Sequence, residues 1–278
     1  MENSIGKSGA IILDTLEEVI DRNHPGFRDT EYIFRRNQIA EVARSYKDGD
    51  CVPEVLYDEK EHALWSFIYW ELENLYPRRA CKQFRKSFNL FRLENHKIPQ
   101  FKNLNKKLHE VGFRISPVEG LVSPKEFLVS LSKSNMKCTQ YIRHFSVPDY
   151  TPEPDVIHEI FGHVTFFFNE KIREINKLFG LVALSAKDED IENLMRLYWY
   201  TLEFGVCYER GSPKAYGAGL LSSTRELSNI ENIPLKEFSI EEISETPYGT
   251  MDTQPFLFCS PSFDYAINSL HEHLNRML

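Results

Sequence analysis

The run DEDIENLMRLYWYTLEFGVCY, residues 188 to 208, sets the tightest limit on the fold. Its apolar residues recur at helical spacing, its first turn is acidic, and Gly211 stands just beyond it. That pattern predicts the longest helix of the chain, with carboxylates at the positive end of its dipole. Around Glu203, in YWYTLEFGVC, every neighbour except Thr201 is apolar or aromatic. A carboxylate on an otherwise buried helix is costly unless it is paired, protonated or bound to a cation. An ion pair with a buried arginine would meet that demand, and so would a metal ion.

The rest of the chain reads the same way. Residues 30 to 46 carry Ile33, Phe34, Ile39, Val42 and Ala43 at helical spacing; residues 58 to 75 do likewise and are closed by Pro77. Ser123-Pro124-Lys125-Glu126 predicts a helix start, with serine as cap, proline in the first turn and glutamate three residues on. Strand signals are short: 112 to 116, 138 to 147 and 254 to 259. The expected architecture is mainly α with a few short β-strands. We expect a loose tail over residues 1–9 and a single domain over 10–278, with no internal repeat.

The net charge of −8 argues against a nucleic-acid partner, which calls for clustered lysine and arginine. The basic run RRACKQFRK, 78 to 86, reads as a solvated face. Five scattered cysteines without a C-x-x-C pair predict reduced, mostly buried thiols. The only apolar run near the N-terminus, GAIIL, is too short for a signal core and no later stretch predicts a membrane span, so a cytoplasmic chain is expected.

In IHEIFGHV, residues 157 to 164, two histidines stand five positions apart. At about 100° per residue, such side chains lie about 140° apart around a regular α-helix. They can face one ion only if the helix ends or bends between them, and Gly162 is the expected break. With Glu203 they make two imidazoles and a carboxylate, the ligand set of non-haem iron(II) oxygenases. A zinc hydrolase with Glu159 as base beside His158 is the rival, but the peptidase pattern places its histidines at i and i+4. A catalytically silent binding protein is the third possibility. His62, His96, His109, His271 and His273 stand among charged residues and read as surface; His144 reads as a structural hydrogen-bonder.

The stretches TPEPDVIHEIFGHV, IENLMRLYWYTLEFGVC and KAYGAGLLSS resemble the catalytic domain of the tetrahydropterin-dependent aromatic amino acid hydroxylases. HPGFRDTEY, GFRISPVEGLVS and CTQYIRH extend the likeness in the same order, from about residue 12 onward. The resemblance implies a monooxygenase that uses iron(II), a tetrahydropterin and dioxygen to hydroxylate a free aromatic amino acid, phenylalanine to tyrosine first. By the same resemblance His158, His163 and Glu203 would hold the metal, with Tyr198 near its open positions. Arg143 would hold the substrate carboxylate as a bidentate partner, supported by Thr151; Trp199 would wall the ring. Ser222 would orient a ligating imidazole, and Ser223 would line the amino acid site. Phe127 would stack on the pterin, the backbone of Gly120, Leu121 and Val122 would bond its polar edge, and Glu159 would face the cofactor.

Three features qualify the likeness. Lys137, in LSKSNMKCTQ, stands where the family usually has histidine. Thr250 falls at a wall position that is apolar in phenylalanine hydroxylases and acidic in tyrosine hydroxylases, while tryptophan hydroxylases usually replace Trp199 by phenylalanine. The family's N-terminal regulatory domain and C-terminal tetramerisation helix have no counterpart in the sequence, from which a monomer is expected.

Overall fold

The computed structural model describes residues 25–151, 153–249 and 253–278. The expected loose segment 1–9 and the wall position Thr250 lie outside the described residues. The architecture is mainly helical with two small sheets, as the periodicity predicts.

Helices α1 (Thr30–Arg44), α2 (Glu59–Arg79), α3 (Lys82–Phe91) and α4 (Phe101–His109) precede the first strand. At the start of α2, Asp58 Oδ1 accepts from the Glu61 N–H at 2.8 Å while Glu61 returns the bond to the Asp58 N–H at 2.7 Å. Pro77 does not close this helix but lies inside it. The residue is exposed, so water can take the carbonyl its ring leaves unpaired.

Strand β1 (Arg114–Pro117) pairs in parallel with β2 (Asn135–Cys138), Ile115 opposite Met136. Between them runs α5 (Pro124–Ser132), capped by Ser123, whose Oγ accepts from the Glu126 N–H at 3.2 Å. The strand expected over 138 to 147 ends at Cys138. Its continuation has other uses for its backbone: Tyr57 Oη donates to the Gln140 carbonyl at 2.7 Å, Tyr32 Oη donates to that of Ile142 at 3.2 Å, and the Arg143 N–H donates to Asp155 at 2.7 Å. Side chains take the place of a ladder, which fixes this segment as a rigid irregular wall.

After the histidine segment come α6 (Glu170–Ser185) and α7 (Asp188–Tyr198). The helix expected over 188 to 208 is therefore shorter: a π-helical turn, Trp199–Glu203, follows α7, and Val206–Glu209 is strand β3. A short apolar run such as FGVC serves a buried strand as well as a helix, so periodicity could not place the change. Antiparallel to β3 lies β4 (Ser212–Ala215), followed by α8 (Ala218–Leu221), α9 (Thr224–Asn229), β5 (Leu235–Glu237) and α10 (Ile240–Glu245). Strand β6 (Leu257–Ser260) completes the order β4-β3-β6-β5, and α11 (Phe263–Met277) follows.

One apolar core joins these layers, with Trp65, Phe84, Phe161, Phe167 and Phe179 fully buried in it. Trp65 packs on Phe161 with ring centroids 4.8 Å apart. That contact anchors the histidine segment against α2. No helix of the described residues is long and apolar enough to cross a membrane.

Candidate metal centre and its cavity

His158–His163 forms a π-helical turn, and the helix does not end at Gly162 but tightens into a 3₁₀ turn, Val164–Phe168. This corrects the expected break. A turn closed by i→i+5 bonds brings the fifth residue over the first, so histidines five apart share a face without any interruption. Gly162 is required for space: a Cβ there would lie 2.7 Å from the Ala218 carbonyl oxygen and 2.8 Å from the Ala218 Cβ. Glu203 closes the second π-helical turn, so both ligand-bearing segments use this rare geometry.

The three side chains converge. His158 Nε2 and His163 Nε2 are 3.1 Å apart, His163 Nε2 lies 3.0 Å from Glu203 Oε1, and His158 Nε2 lies 3.5 Å from Glu203 Oε2. Two ligands at right angles, each about 2.1 Å from an ion, are roughly 3.0 Å apart. The observed spacing is thus that of one face of an octahedron, which leaves the opposite face open. Among the described residues no arginine pairs with Glu203, so the ion-pair alternative for this buried carboxylate falls away.

The protonation pattern suits a cation. Burial lowers His158 to about 4, so its imidazole is neutral. Burial works against ionised Glu203, yet His163 and His158 outweigh it and hold the carboxyl below its usual range. The same pairing raises His163 against the effect of burial. The Ser222 hydroxyl donates to the Ala218 carbonyl at 2.8 Å, so toward His158 Nδ1, 3.2 Å away, it is an acceptor. Nδ1 then carries the proton and Nε2 presents its lone pair to the centre.

A cavity of about 380 Å³ opens beside this triad, and every site residue expected from the sequence lines it. Phe127 meets the Tyr198 ring edge-on, centroids 5.3 Å apart, on the side of Gly120, Leu121 and Val122. Glu159 is buried, accepts from the Thr139 N–H at 2.9 Å, and is pushed up to about 7 by burial. Trp199 stacks on Tyr248, centroids 4.8 Å apart, and donates from Nε1 to Gln254 Oε1 at 3.1 Å. Lys137 lines the cavity and is ion-paired with Glu126.

Several side chains are committed differently from expectation. The bidentate face of Arg143 is already filled: Nε and Nη2 reach the two oxygens of Asp155 at 3.0 and 2.8 Å, and Nη1 donates to the carbonyls of Pro148 and Ser222. One Nη2 hydrogen is left for a ligand, so a bidentate grip on a carboxylate is not open to it. Tyr198 turns its ring to the cavity and donates its hydroxyl to Asn176 Oδ1 at 2.9 Å, away from the triad. Thr151 Oγ1 donates to the Glu153 carbonyl at 3.0 Å. Ser223 caps α9, accepting from the Glu226 N–H at 3.2 Å and donating to the Asp149 carbonyl at 3.0 Å. His144 is the expected hydrogen-bonder, 3.1 Å from Asp29 Oδ2 and 2.8 Å from Ser146 Oγ. His62, expected to be solvated, is half-buried and accepts from the Ile98 N–H at 3.2 Å.

Two groups in the site were not singled out from the sequence. Asp155 reads as a helix cap, and it is one, accepting from the His158 N–H at 3.0 Å; its hold on Arg143 carries no local signal. Glu226 belongs to S-T-R-E, an ordinary capping pattern, yet it is only 3 % exposed and lines the cavity.

The family model described as biopterin-dependent aromatic amino acid hydroxylase matches residues 6–278. The chain is 40% identical over 265 residues to tyrosine 3-monooxygenase of Bos taurus, covering 93% of this chain and 54% of the relative. It is also 40% identical over 258 residues to phenylalanine-4-hydroxylase of Caenorhabditis elegans, covering 90% and 56%. The chain spans about half the length of these curated relatives. Among solved structures, phenylalanine hydroxylase of Chromobacterium violaceum with bound oxidised Fe(III) superposes with a TM-score of 0.77 at 28% identity, covering 88% of this chain and 90% of that one. The same enzyme with bound iron(III) and oxidised 7,8-dihydrobiopterin gives 0.76 at 29% identity, covering 88% and 91%. With sequence and fold matched over nearly the whole chain, the protein belongs to the biopterin-dependent aromatic amino acid hydroxylase family.

Proposed function

We propose that this chain, over residues 10–278, is a catalytic domain that hydroxylates the ring of a free aromatic amino acid, phenylalanine to tyrosine in preference to other rings. The observation that carries this reading is the triad His158, His163 and Glu203, spaced as one octahedral face at the floor of an aromatic-walled cavity. Iron(II) held there with a reduced pterin beside it supplies the activation of dioxygen. The rest falls to side chains. Ser222 fixes the His158 tautomer, and Arg143, already oriented by Asp155, offers one N–H to the amino acid carboxylate. Trp199 and Tyr248 wall the ring, while Phe127 and the backbone of 120–122 line the side on which a pterin would stack. Tyr198 contributes the face of its ring to the wall between them. Five free thiols, four of them buried, suit a reducing compartment such as the cytoplasm.

Substrate choice rests on Trp199, which narrows the ring pocket. One or two side chains in such a pocket discriminate by about 1–3 kcal/mol, or 10- to 200-fold. The test is kcat/KM for phenylalanine, tyrosine and tryptophan with iron(II) and one tetrahydropterin. Phenylalanine is expected first; tryptophan or tyrosine ahead by tenfold or more overturns the assignment, and no turnover of any of the three overturns the function.

A further inference from the structure

Buried carboxylates in this fold come with cations. Glu61 pairs with Arg35 at 2.8 Å, Glu153 with Arg36 at 2.6 Å, Asp155 with Arg143 at 2.8 Å, and Glu203 faces two histidines. Glu226 is as buried as these at 3 % exposed, and among the described residues it forms no ion pair. Its Oε1 accepts from the Gln254 N–H at 3.0 Å, while its second oxygen accepts no hydrogen bond among the described residues. Burial raises this carboxyl to about 7, against the weaker pull of the Gln254 N–H and of Arg225. Arg225 itself is spent on Asp149, Nε to Oδ2 at 2.8 Å. A buried carboxylate of this kind, lining a ligand cavity, is a receptor for a cation that the protein does not supply.

The place of Glu226 says which cation. Arg143 Nη1 donates to the Ser222 carbonyl at 3.2 Å, and the Glu226 N–H donates to Ser223 Oγ at 3.2 Å. The guanidinium and the carboxylate therefore flank two consecutive residues on one edge of the cavity. Asp155 already balances the charge of Arg143, so the negative charge of Glu226 is left over at this end. Gln254 joins the acid to the aromatic wall, since its N–H bonds Glu226 and its Oε1 accepts from Trp199 Nε1 at 3.1 Å. An α-amino acid whose carboxylate meets Arg143 and whose ring meets Trp199 carries its ammonium between them. We infer that Glu226 is the acceptor for the substrate α-ammonium, and that with Gln254 it sets the distance between the zwitterionic head and the ring. The inference rests on the amino acid reading of this cavity.

The test compares L-phenylalanine with 3-phenylpropionate, which has the same ring and carboxylate but no ammonium. Both are titrated calorimetrically into the iron-loaded wild type, Glu226→Gln and Glu226→Asp, with thermal melts to confirm folding. Glu226→Gln is expected to weaken phenylalanine roughly tenfold or more, the scale of a hydrogen bond to a charged group, and to leave 3-phenylpropionate within about threefold. Glu226→Asp keeps the charge and should restore part of the loss; if the glutamine variant does not fold, the aspartate variant must still show a selective loss for phenylalanine. Equal losses for both ligands, or none, overturn the inference. If the wild type turns over an aromatic amino acid and the variant loses both ligands alike, the ammonium role alone falls. A wild type that binds neither ligand removes the amino acid reading as well.

Discussion

Replacing Gly162 by alanine is the sharpest test of how the metal-binding turn is held. The added Cβ would lie 2.7 Å from the Ala218 carbonyl oxygen, 2.8 Å from its Cβ and 3.0 Å from its Cα, against ordinary contacts from 3.4 Å. Two of the three obstacles are backbone atoms of α8, so no rotamer change relieves them and the two segments must part by about 0.7 Å. Overpacking of this kind costs about 1–3 kcal/mol. At about 2–4 °C per kcal/mol for a chain of this size class, the melting temperature should fall by about 2–12 °C. The displacement also moves Ser222, which ends α8 and orients His158, so iron(II) or cobalt(II) affinity should drop roughly 10- to 100-fold. Calorimetric melting of the metal-free protein and a metal titration read the two effects separately. Gly249→Ala is the control, because nothing lies within 4 Å of its Cβ. A Gly162→Ala protein that melts and binds metal like the wild type would refute the argument from close approach.

Glu203→Ala should abolish tight iron binding and Ser222→Ala should weaken it roughly 10- to 100-fold; metal analysis after dialysis checks both, and a Glu203→Ala protein that retains stoichiometric iron would sink the ligand assignment. Of the five thiols only Cys51 is exposed, so a chromogenic disulfide reagent should titrate one quickly in the native protein and the other four only on unfolding. Glu226 rises from its ordinary 4.5 to about 7 in the folded protein, so the fold holds that proton more tightly than the unfolded chain does. Its contribution to stability is full below about 4.5 and is lost as pH climbs through about 7. Denaturant unfolding from pH 4.5 to 7 should therefore show the wild type losing stability relative to Glu226→Gln; parallel curves count against it.

What the sequence revealed and what it hid separate along physical lines. Periodicity found α1, α2 and α7, and the Ser123 cap was legible because capping is a local exchange of hydrogen bonds. The ligand trio was legible because a lone carboxylate among apolar residues and an odd histidine spacing both demand an explanation. The π-helical turns were not, since the argument assumed a regular 100° step and nothing in HEIFGH marks an i→i+5 turn. Commitments made across long sequence separations were equally hidden. Asp155 fills the fork of Arg143, Asn176 draws off the Tyr198 hydroxyl, and Gln254 ties Trp199 to Glu226, each through a partner that no local pattern announces.

The π-helical turn that carries His158 and His163 also has a meaning for how this chain can change. Such a turn is an α-helical turn holding one surplus residue, and everything after it is phased by that surplus. Removing one residue between the histidines would give the i, i+4 spacing of a zinc peptidase and allow an ordinary α-helix. It would also rotate the following segment by about 100°. Phe166 would leave its edge-on contact with Phe84, centroids 5.4 Å apart, and Phe167 its stack on Phe113 at 4.0 Å. Ligand spacing and core registry are therefore a single variable in this protein. A lineage of such chains can exchange side chains around the cavity freely, yet it cannot step to the neighbouring metal motif by one deletion without dismantling the aromatic packing that holds the site in place.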